Sequence, residues 1–519
     1  MLNTQTSRWE WLWRWRVGLM VTVVGGLAGL LRFVNLSHPN ALVFDEVFYV
    51  RGAFSILHYG YEGDWTGDND WFEKGNTSGL QTDGDFIVHP MVGKLLIAAG
   101  MQIFGNNPFG WRFSTALLGT LTVVIVALIA RHLFRSTLWG LVAGVLLAID
   151  GMAIVLSRTA LLDNFLAFFA TAALGLILLD RERNRRRLAA AATSDRERFG
   201  IAPGEPIPGL GARSGIHWWR WAAVVVLGLA VGTKWSGLYF AAAFMALSVI
   251  FEMADRRTVG YRQWFFSATL RAIPTAIGTV VLIAGVYLAT WWNWFATSGS
   301  YGRQWAENHP GEGITWLPAP LRSLVHYHEQ MWTFHTNLTS EHSYMSSPFG
   351  WILMLRPTAF HFRDVEDVDC GASRCITAIH ALGHPFIWWA AAAALLFALW
   401  RVVRRLDMVA LTVSLGVLAG WVVWFPYAYR TIFTFYAVAF APFLVLTLVY
   451  GLKHIAQPDG MSGRVLRSGA MTVIGYLAVC LVFAGFFLPI WTGMPISFEY
   501  WQVHMWLPKL PFKGFGGWI

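Results

Sequence analysis

Apolar stretches of about twenty residues recur along the whole chain, and they constrain its fold more than any other feature. A bilayer core requires about 20 mostly apolar residues per helix. Only 13% of the residues here are charged, compared with about a quarter in soluble domains. We therefore predict an all-α polytopic membrane protein that forms a single domain over residues 1–519. It has about eleven transmembrane helices, at residues 17–36, 111–131, 138–157, 161–179, 218–234, 236–252, 271–292, 386–402, 407–425, 431–451 and 468–490.

The basic residues predict how these helices are oriented. Lys and Arg are concentrated at the N-terminus and in alternate connectors, which is the pattern of cytoplasmic loops. The N-terminus is therefore expected inside and the C-terminus outside. The basic residues of these connectors account for the net charge of +9. Membrane lipids are expected as their partners. Because the basic residues cluster in short segments between apolar runs, nucleic acid is rejected as a partner.

Two connectors on the predicted outer side, 37–110 and 293–385, are much longer than the others. Their many apolar and aromatic residues argue against disorder, and connectors of this length are usually functional. We therefore expect catalysis at the extracytoplasmic face. Within the first connector, 47–58 and 90–104 have helix-like apolar spacing. On the inner side, 180–217 is basic, then Ala-rich, then rich in Pro and Gly, which predicts a flexible cytoplasmic linker loop.

Two of the three cysteines, Cys370 and Cys375, lie close together in the second outer connector. If this connector faces an oxidising compartment, the two are able to form a disulfide. The alternative is a pair of free thiols, and the sequence leaves both open. The third cysteine, Cys480, lies inside a predicted transmembrane helix.

Adjacent carboxylates, Asp45 and Glu46, lie just beyond the first predicted transmembrane helix in the segment HPNALVFDEVFYV. Acidic residues among apolar neighbours at a membrane surface are costly unless they have a task or a partner. A carboxylate in partly dry surroundings suits a general base. The structural alternatives are a helix cap, for which Asp is well suited, and a salt bridge.

Several cationic side chains lie near the predicted outer ends of the helices. Each of them alone is explained by a structural role or by a side chain that extends toward the interface. Together they indicate an anionic group at the outer leaflet, because a phosphate at the membrane surface requires such a clamp. The candidates are Arg32, Arg112, Arg158, Lys234, His89 and Lys94.

The second outer connector contains the segment VHYHEQMWTFHTNLTSEHSYMSSPFGW, which is rich in His and aromatic residues. His326, His328 and Glu329 raise the question of a metal, but they do not have the ligand spacing of a zinc site. A groove lined by His, Tyr and Trp is the better interpretation, since such side chains stack against and hydrogen-bond to sugars and peptides. We predict no metal and no cofactor.

Several motifs, in this order along nearly the whole chain, resemble the protein O-mannosyltransferase family of GT-C membrane glycosyltransferases. They are FDEVFYV, HPMVGK, PFGWRFS, SRTALLDN, GTKWSGLYF and HSYMSSPFGW. One departure is Met91, where the family usually has a second Pro. Eukaryotic members carry a large MIR domain in the second outer connector. The connector at 293–385 is too short to contain this domain. In this respect the chain is similar to the actinobacterial branch of the family.

The resemblance implies transfer of mannose from polyprenyl phosphate mannose to Ser or Thr of secreted proteins, with inversion, at a bacterial cell membrane. It also makes the secretion translocon a candidate partner. A related GT-C enzyme that glycosylates a lipid or a cell-wall glycan is the alternative. A transporter is rejected, because it predicts charges at the bilayer midplane and broken helices in related halves, and the charges here lie near the outer ends.

On this basis we assign Asp45 as the general base. Glu46 is expected to orient the site or to pair with a cation such as Arg32. Arg112 is the first choice for the donor phosphate, supported by Lys234, Arg158 and Arg32, with His89 as a weaker candidate. The acceptor or the sugar is expected to contact three aromatic side chains, namely His342, Trp351 and Tyr49.

Overall fold

The computed structural model describes residues 8–68, 72–212, 215–366, 368–459, 465–508 and 516–518. Helices dominate this part of the chain, because a helix satisfies its own backbone hydrogen bonds, as lipid requires. The helices that coincide with predicted transmembrane segments are α1 (Arg8–Phe33), α4 (Pro108–Phe134), α5 (Thr137–Ala148), α6 (Gly151–Ser157), α7 (Leu162–Phe199), α8 (Trp218–Val231), α9 (Gly237–Val259), α10 (Trp264–Thr290), α14 (Pro385–Arg405), α15 (Met408–Trp421), α16 (Ala441–Ala456) and α17 (Arg467–Thr492).

Each of the eleven predicted apolar runs contains a helix in the structure. Within the described ranges, eight helices are long and apolar enough to cross a bilayer, and α5 with α6 passes the same test as a bent pair. Helices α8 and α16 are shorter but apolar. The all-α polytopic fold is therefore confirmed, whereas the number of crossings and the orientation stay predictions.

The helical pair α5–α6 bends by 64° at Asp150 and Gly151. One oxygen of Asp150 caps α6 by accepting a backbone N–H at 3.0 Å. The other accepts the backbone N–H of His384 at 2.9 Å and the indole N–H of Trp388 at 2.7 Å. A Cβ atom at Gly151 would lie 1.9 Å from an indole of α17. The predicted transmembrane run 138–157 is therefore built from two helices that meet at a bend.

The predicted flexible loop over 180–217 is wrong in its first half, because α7 continues without a break to Phe199. Its Ala-rich tract has high helix propensity, and the extension is held by an ion pair of 3.2 Å between Arg181 and Asp255. The chain then turns back, and Ile207 is completely buried. A few residues of this segment, among them Leu188, Ala192 and Ile207, are thus buried, whereas most of its described residues are exposed.

The described residues of the first outer connector include two longer helices and a small antiparallel strand pair. Helix α2 (Glu46–Tyr59) and helix α3 (Val92–Phe104) confirm the helix-like spacing of 47–58 and 90–104. Between them, β1 (Gly63–Trp65) pairs antiparallel with β2 (Leu80–Gly84).

The second outer connector contains both helices and strands. The short strands were not predicted, because a run of seven residues gives a weak periodic signal. Strand β4 lies between β3 and β5 in an antiparallel sheet, and Cys370 and Cys375 form a disulfide next to it. The elements are α11 (Trp292–Ala296), α12 (Trp305–Asn308), α13 (Ala319–Asn337), β3 (Thr358–Val365) and β4 (Cys375–Ala381), followed after α17 by β5 (Ile496–Ser497) and α18 (Phe498–Val503).

Candidate active site

Glu46 is the first residue of α2, and its side chain is completely buried. Its carboxylate accepts two hydrogen bonds of 2.8 Å from Arg112 of α4, from Nε to Oε1 and from Nη2 to Oε2. It also accepts the backbone N–H groups of Val43 at 2.9 Å and Ala160 at 2.7 Å. The predicted salt bridge is therefore present, and it ties the first outer connector to α4 and to the segment before α7.

Arg112 uses all of its hydrogen-bonding capacity inside the protein. A guanidinium group has five N–H donors, and two of them bind Glu46. The others donate over 2.8–3.3 Å to three backbone carbonyls, those of Leu36, Pro39 and Ala41. This geometry does not support the prediction that Arg112 binds the donor phosphate. It also replaces the suggested pairing of Glu46 with Arg32.

Arg32 and Arg158 hold helices together. Arg158 donates to backbone carbonyls at the end of α1 over 2.7–3.4 Å, where a helix leaves carbonyls without partners. Arg32 donates to the hydroxyl of Ser157 at 3.1 Å and to carbonyls at the end of α5. Both side chains are buried, so this geometry supports a phosphate-binding role for neither of them.

Asp45 differs from its neighbour, because its carboxylate accepts no hydrogen bond from the described residues. It precedes α2 at the N-cap position but makes no capping bond, so the helix-cap alternative is wrong. Burial raises the pKa of Asp45 to about 7; Lys234 opposes this shift and Asp163 adds to it. A carboxylate that titrates near neutral pH is suited to accept a proton in catalysis.

Phe44, immediately before Asp45, has a left-handed backbone with φ of 51°. This conformation costs an L-residue roughly 1–2 kcal/mol. Its ring stacks on Phe360 of β3 at a centroid distance of 4.9 Å and meets Phe433 and Phe435 edge-on at 5.4 Å. A strained conformation of this kind persists where the surrounding residues hold it in place. Here the ring contacts of Phe44 fix the backbone next to Asp45.

Lys234 follows α8 and is held by a carboxylate of α7. Its Nζ donates to both carboxylate oxygens of Asp163 at 2.9 Å, and it lies 4.5 Å from the ring centroid of Tyr436. The motifs SRTALLDN and GTKWSG are therefore brought together by a buried ion pair. Lys234 also lies close enough to Asp45 to influence the pKa of that carboxyl.

A cavity of about 220 Å³ adjoins this ion pair. Among its polar residues is Arg430, whose guanidinium is largely buried and makes no hydrogen bond to the described part of the chain. Arg430 is not among the site residues predicted from the sequence, although it is the single cation in the short predicted outer connector 426–430. The lining residues are His89, Lys234, Trp235, Ser236, Leu238, Tyr239, Trp332, His335, Thr336, Trp424, Tyr427 and Arg430.

Two imidazoles in the cavity are held neutral by their surroundings. Burial lowers the pKa of His335 to about 4, and the charges of Arg430 and Lys234 add to the shift. Burial also lowers the pKa of His89, and Lys234 contributes in the same direction. The two rings lie 5.1 Å apart. Because their pKa values are lowered, both are available for hydrogen bonding at neutral pH without adding charge.

The three predicted acceptor or sugar residues fall into different environments. Tyr49 is buried, with its ring 6.1 Å from that of His89. His342 is exposed and lies 6.0 Å from Phe44, ring to ring. Trp351 is completely buried, and its indole N–H donates to the hydroxyl of Ser346 at 2.9 Å. Because no part of Trp351 is exposed, the prediction that it contacts acceptor or sugar is not supported.

Family models match both halves of the chain. The model described as dolichyl-phosphate-mannose-protein mannosyltransferase covers residues 22–191. The model described as the C-terminal four TMM region of protein-O-mannosyltransferase covers residues 320–510. The chain belongs to the protein O-mannosyltransferase family. It is therefore a multi-pass membrane glycosyltransferase, as the resemblance implied.

Curated relatives of this mannosyltransferase extend over almost the whole chain. The polyprenol-phosphate-mannose–protein mannosyltransferase of Mycobacterium tuberculosis (strain ATCC 25618 / H37Rv) is 36% identical over 94% of this chain and 90% of its own length. The protein of the same name from Mycolicibacterium smegmatis (strain ATCC 700084 / mc(2)155) is 37% identical over 94% and 92%. The actinobacterial resemblance is thus confirmed.

The fold is shared with a solved member of the family. The S. cerevisiae protein O-mannosyltransferase Pmt1-Pmt2 complex bound to the sugar donor matches with a TM-score of 0.67 and 15% identity. The match covers 96% of this chain and 93% of the solved chain. This similarity confirms the GT-C architecture of the mannosyltransferase.

Proposed function

We propose that this chain transfers mannose from polyprenol phosphate mannose to a Ser or Thr hydroxyl of a secreted protein, with Asp45 as the general base. The names of the relatives supply the donor and the protein acceptor. The observation that carries the proposal is the Asp45 carboxylate, which is without a hydrogen-bond partner among the described residues and close to Lys234. The positive charges of the predicted inner connectors support a reaction at the extracytoplasmic face of the bacterial cell membrane.

The transfer is a single displacement. Asp45 takes the proton of the acceptor hydroxyl while its oxygen attacks the anomeric carbon of mannose. The bond between that carbon and the phosphate oxygen breaks, and its electron pair leaves with polyprenol phosphate. Attack from the opposite side inverts the centre, so a β-linked donor gives an α-linked product. Inverting glycosidases use one carboxylate as base in the same way.

The departing phosphate gains one negative charge as a diester becomes a monoester. Lys234 and Arg430 both line the cavity, and cations fixed in advance stabilise charge where it develops. We assign to Arg430 the binding of the donor phosphate, which the sequence had suggested for Arg112, because the guanidinium of Arg430 has no protein partner among the described residues. Asp163 acts as a positioning residue that keeps Lys234 in place.

The remaining cavity side chains suit a sugar and a lipid. Aromatic rings stack on sugar faces and on prenyl chains while their polar groups hydrogen-bond, and Trp235, Trp332 and Trp424 supply such surfaces. The neutral imidazoles of His89 and His335 suit hydrogen bonds to sugar hydroxyls. The ring of His342 is exposed and lies 6.0 Å from that of Phe44, next to Asp45, so we assign it to the acceptor.

The test uses the purified full-length enzyme, polyprenyl phosphate mannose and a Thr-containing peptide. Asp45→Asn is expected to retain donor binding and to lose turnover by at least about a hundredfold, which is the scale of general-base catalysis. Asp83→Asn is the matched control, because Asp83 is an exposed carboxylate of the same connector.

Near-wild-type turnover of Asp45→Asn would contradict the assignment of the base. An enzyme that leaves the peptide unmodified but mannosylates a lipid or a glycan would favour the alternative acceptor. Both assays use the same donor, so a difference between the peptide and the lipid or glycan reports on the acceptor alone.

A further inference from the structure

A second cavity, of about 600 Å³, lies between helices α8, α9 and α10. Lys234, which follows the last turn of α8, lines the cavity of about 220 Å³, whereas Arg220, in the first turn of α8, lines this one. The intervening residues of a helix rise by roughly 1.5 Å each, which separates the two cavities by roughly 20 Å along α8. The second cavity therefore lies toward the membrane face opposite Asp45.

The cavity is built into the packing of α8 against α10. A Cβ atom at Gly228 of α8 would lie 2.8 Å from Val286, and one at Gly278 of α10 would lie 2.6 Å from Trp221. The helices are thus in close contact up to Gly278, and the cavity begins one turn beyond. Pro274 lines it and has no backbone N–H, so the helix wall is locally irregular there.

The charged side chains around the cavity carry an excess of positive charge. Arg220 donates from Nε to Asp180 at 3.3 Å, and its Nη1 donates to no described residue. Arg271 lines the cavity and donates to a backbone carbonyl at 2.9 Å. Among the described lining residues the one carboxylate is Glu252, which is bound by Arg256 at 2.7 Å and by the amide of Asn184. Two guanidinium groups, those of Arg220 and Arg271, therefore line the cavity with one carboxylate, and the imidazole of His217 lies beside them.

The same helix α10 presents an apolar surface to the outside. Only 11% of its membrane segment is buried inside the protein. Large apolar side chains on this surface are exposed by 47–68%, among them Leu270, Ile273, Ile277 and Val280. In a membrane protein such a surface faces lipid acyl chains. An occupant of the cavity is therefore adjacent to both guanidinium groups and lipid.

We propose that this cavity binds the phosphate headgroup of an anionic membrane phospholipid, with its acyl chains along α10. Arg220 and Arg271 are the residues expected to contact the phosphate, because guanidinium groups bind phosphate through paired N–H donors. Basic pockets between transmembrane helices on the cytoplasmic side are suited to such headgroups. The occupant would contact Leu210 and Gly215, which line the same cavity, as well as α10.

The experiment measures lipid binding to the full-length enzyme by native mass spectrometry, with phosphatidylglycerol and phosphatidylcholine as probes. The wild type is expected to retain phosphatidylglycerol in preference to phosphatidylcholine. Arg220→Gln and Arg271→Gln are each expected to weaken its binding about fivefold, since one basic residue near the membrane surface contributes about that factor. Arg404→Gln is the control, because Arg404 is an exposed cation in the last turn of α14, at the same predicted membrane face.

A second variant, Ala272→Phe, fills the cavity without changing its charge and is expected to displace the lipid as well. It keeps the test valid if an arginine variant unfolds, which thermal unfolding would reveal. Equal retention of both lipids would overturn the proposal. So would an equal loss in Arg404→Gln, or a preference for polyprenyl phosphate over phosphatidylglycerol.

Discussion

The carboxylate of Glu46 and the guanidinium of Arg112 form a buried pair through two hydrogen bonds of 2.8 Å, directly beside Asp45. Neither side chain is exposed. The pair fixes the first turn of α2 from one side, while the ring of Phe44 fixes the chain from the other. Asp45 is therefore held by its neighbours in sequence, and its carboxylate stays available for chemistry.

Glu46→Gln is expected to lower the free energy of unfolding by about 3–5 kcal/mol, because it leaves the Arg112 charge buried without its counterion. Thermal or denaturant unfolding of the detergent-solubilised enzyme measures this change. Asp45→Asn is the control that should show no such loss. If Glu46→Gln kept its stability and lost turnover alone, Glu46 would act in catalysis and not in the scaffold.

The raised pKa of Asp45 predicts how activity and stability depend on pH. The carboxylate form is the base, so turnover should rise with pH through about 7. A carboxyl group whose pKa is higher in the folded state stabilises the fold fully below its unfolded pKa, and this contribution is lost as pH rises to about 7. Asp45→Asn should therefore unfold at a higher temperature than the wild type at pH 8, and the difference should vanish near pH 3.

Lys234 and Asp163 should shift the pH profile in opposite directions. The charge of Lys234 lowers the pKa of Asp45 and that of Asp163 raises it. In Asp163→Asn the midpoint of the pH–turnover profile should move below that of the wild type, and in Lys234→Gln it should move above. A purely structural role would reduce turnover at every pH without moving the midpoint. Identical shifts in both variants would contradict this electrostatic account.

The helices were predictable because lipid imposes a simple rule on the chain. A run of about 20 apolar residues is sufficient to identify a membrane helix, and each of the eleven runs contains a helix. The bend at Asp150 was not predictable, because it depends on hydrogen bonds from His384 and Trp388, which are more than 200 residues away. The extension of α7 was missed because basic residues indicate the membrane face but not the local conformation.

The acidic residues of the candidate site are easier to select from the sequence than the basic ones. Asp45 was identifiable from its apolar neighbours and its position after the first helix. For a cation, sequence position indicates the depth in the membrane but not the partner. Arg112 and Arg430 both lie near predicted outer ends of transmembrane helices, yet only folding brings a carboxylate and three carbonyls to Arg112. This difference in available N–H donors is the reason that we propose Arg430, and not Arg112, for the donor phosphate.

Phe44 is expected to control turnover through the position of Asp45. Phe44→Ala removes the ring contacts with Phe360 and keeps the backbone strain, so kcat should fall at least tenfold with KM for the donor nearly unchanged. Water entering beside Asp45 should also lower the midpoint of the pH profile. Phe48→Ala is the matched control, because Phe48 lies one turn further along α2 and is 61% exposed. Equal effects of the two substitutions would show that the ring cluster has no specific role.

Arg430→Gln should reduce turnover by about a hundredfold, the typical effect of removing one donor that stabilises developing charge. It should also weaken donor binding, which titration with polyprenyl phosphate measures without chemistry. The matched control is Arg363→Gln, an exposed cation of β3 in the second outer connector. Because the guanidinium of Arg430 has no hydrogen bond to the described residues, its removal should leave the unfolding temperature unchanged. A stable Arg430→Gln variant with normal phosphate binding would show that Lys234 alone neutralises the leaving group.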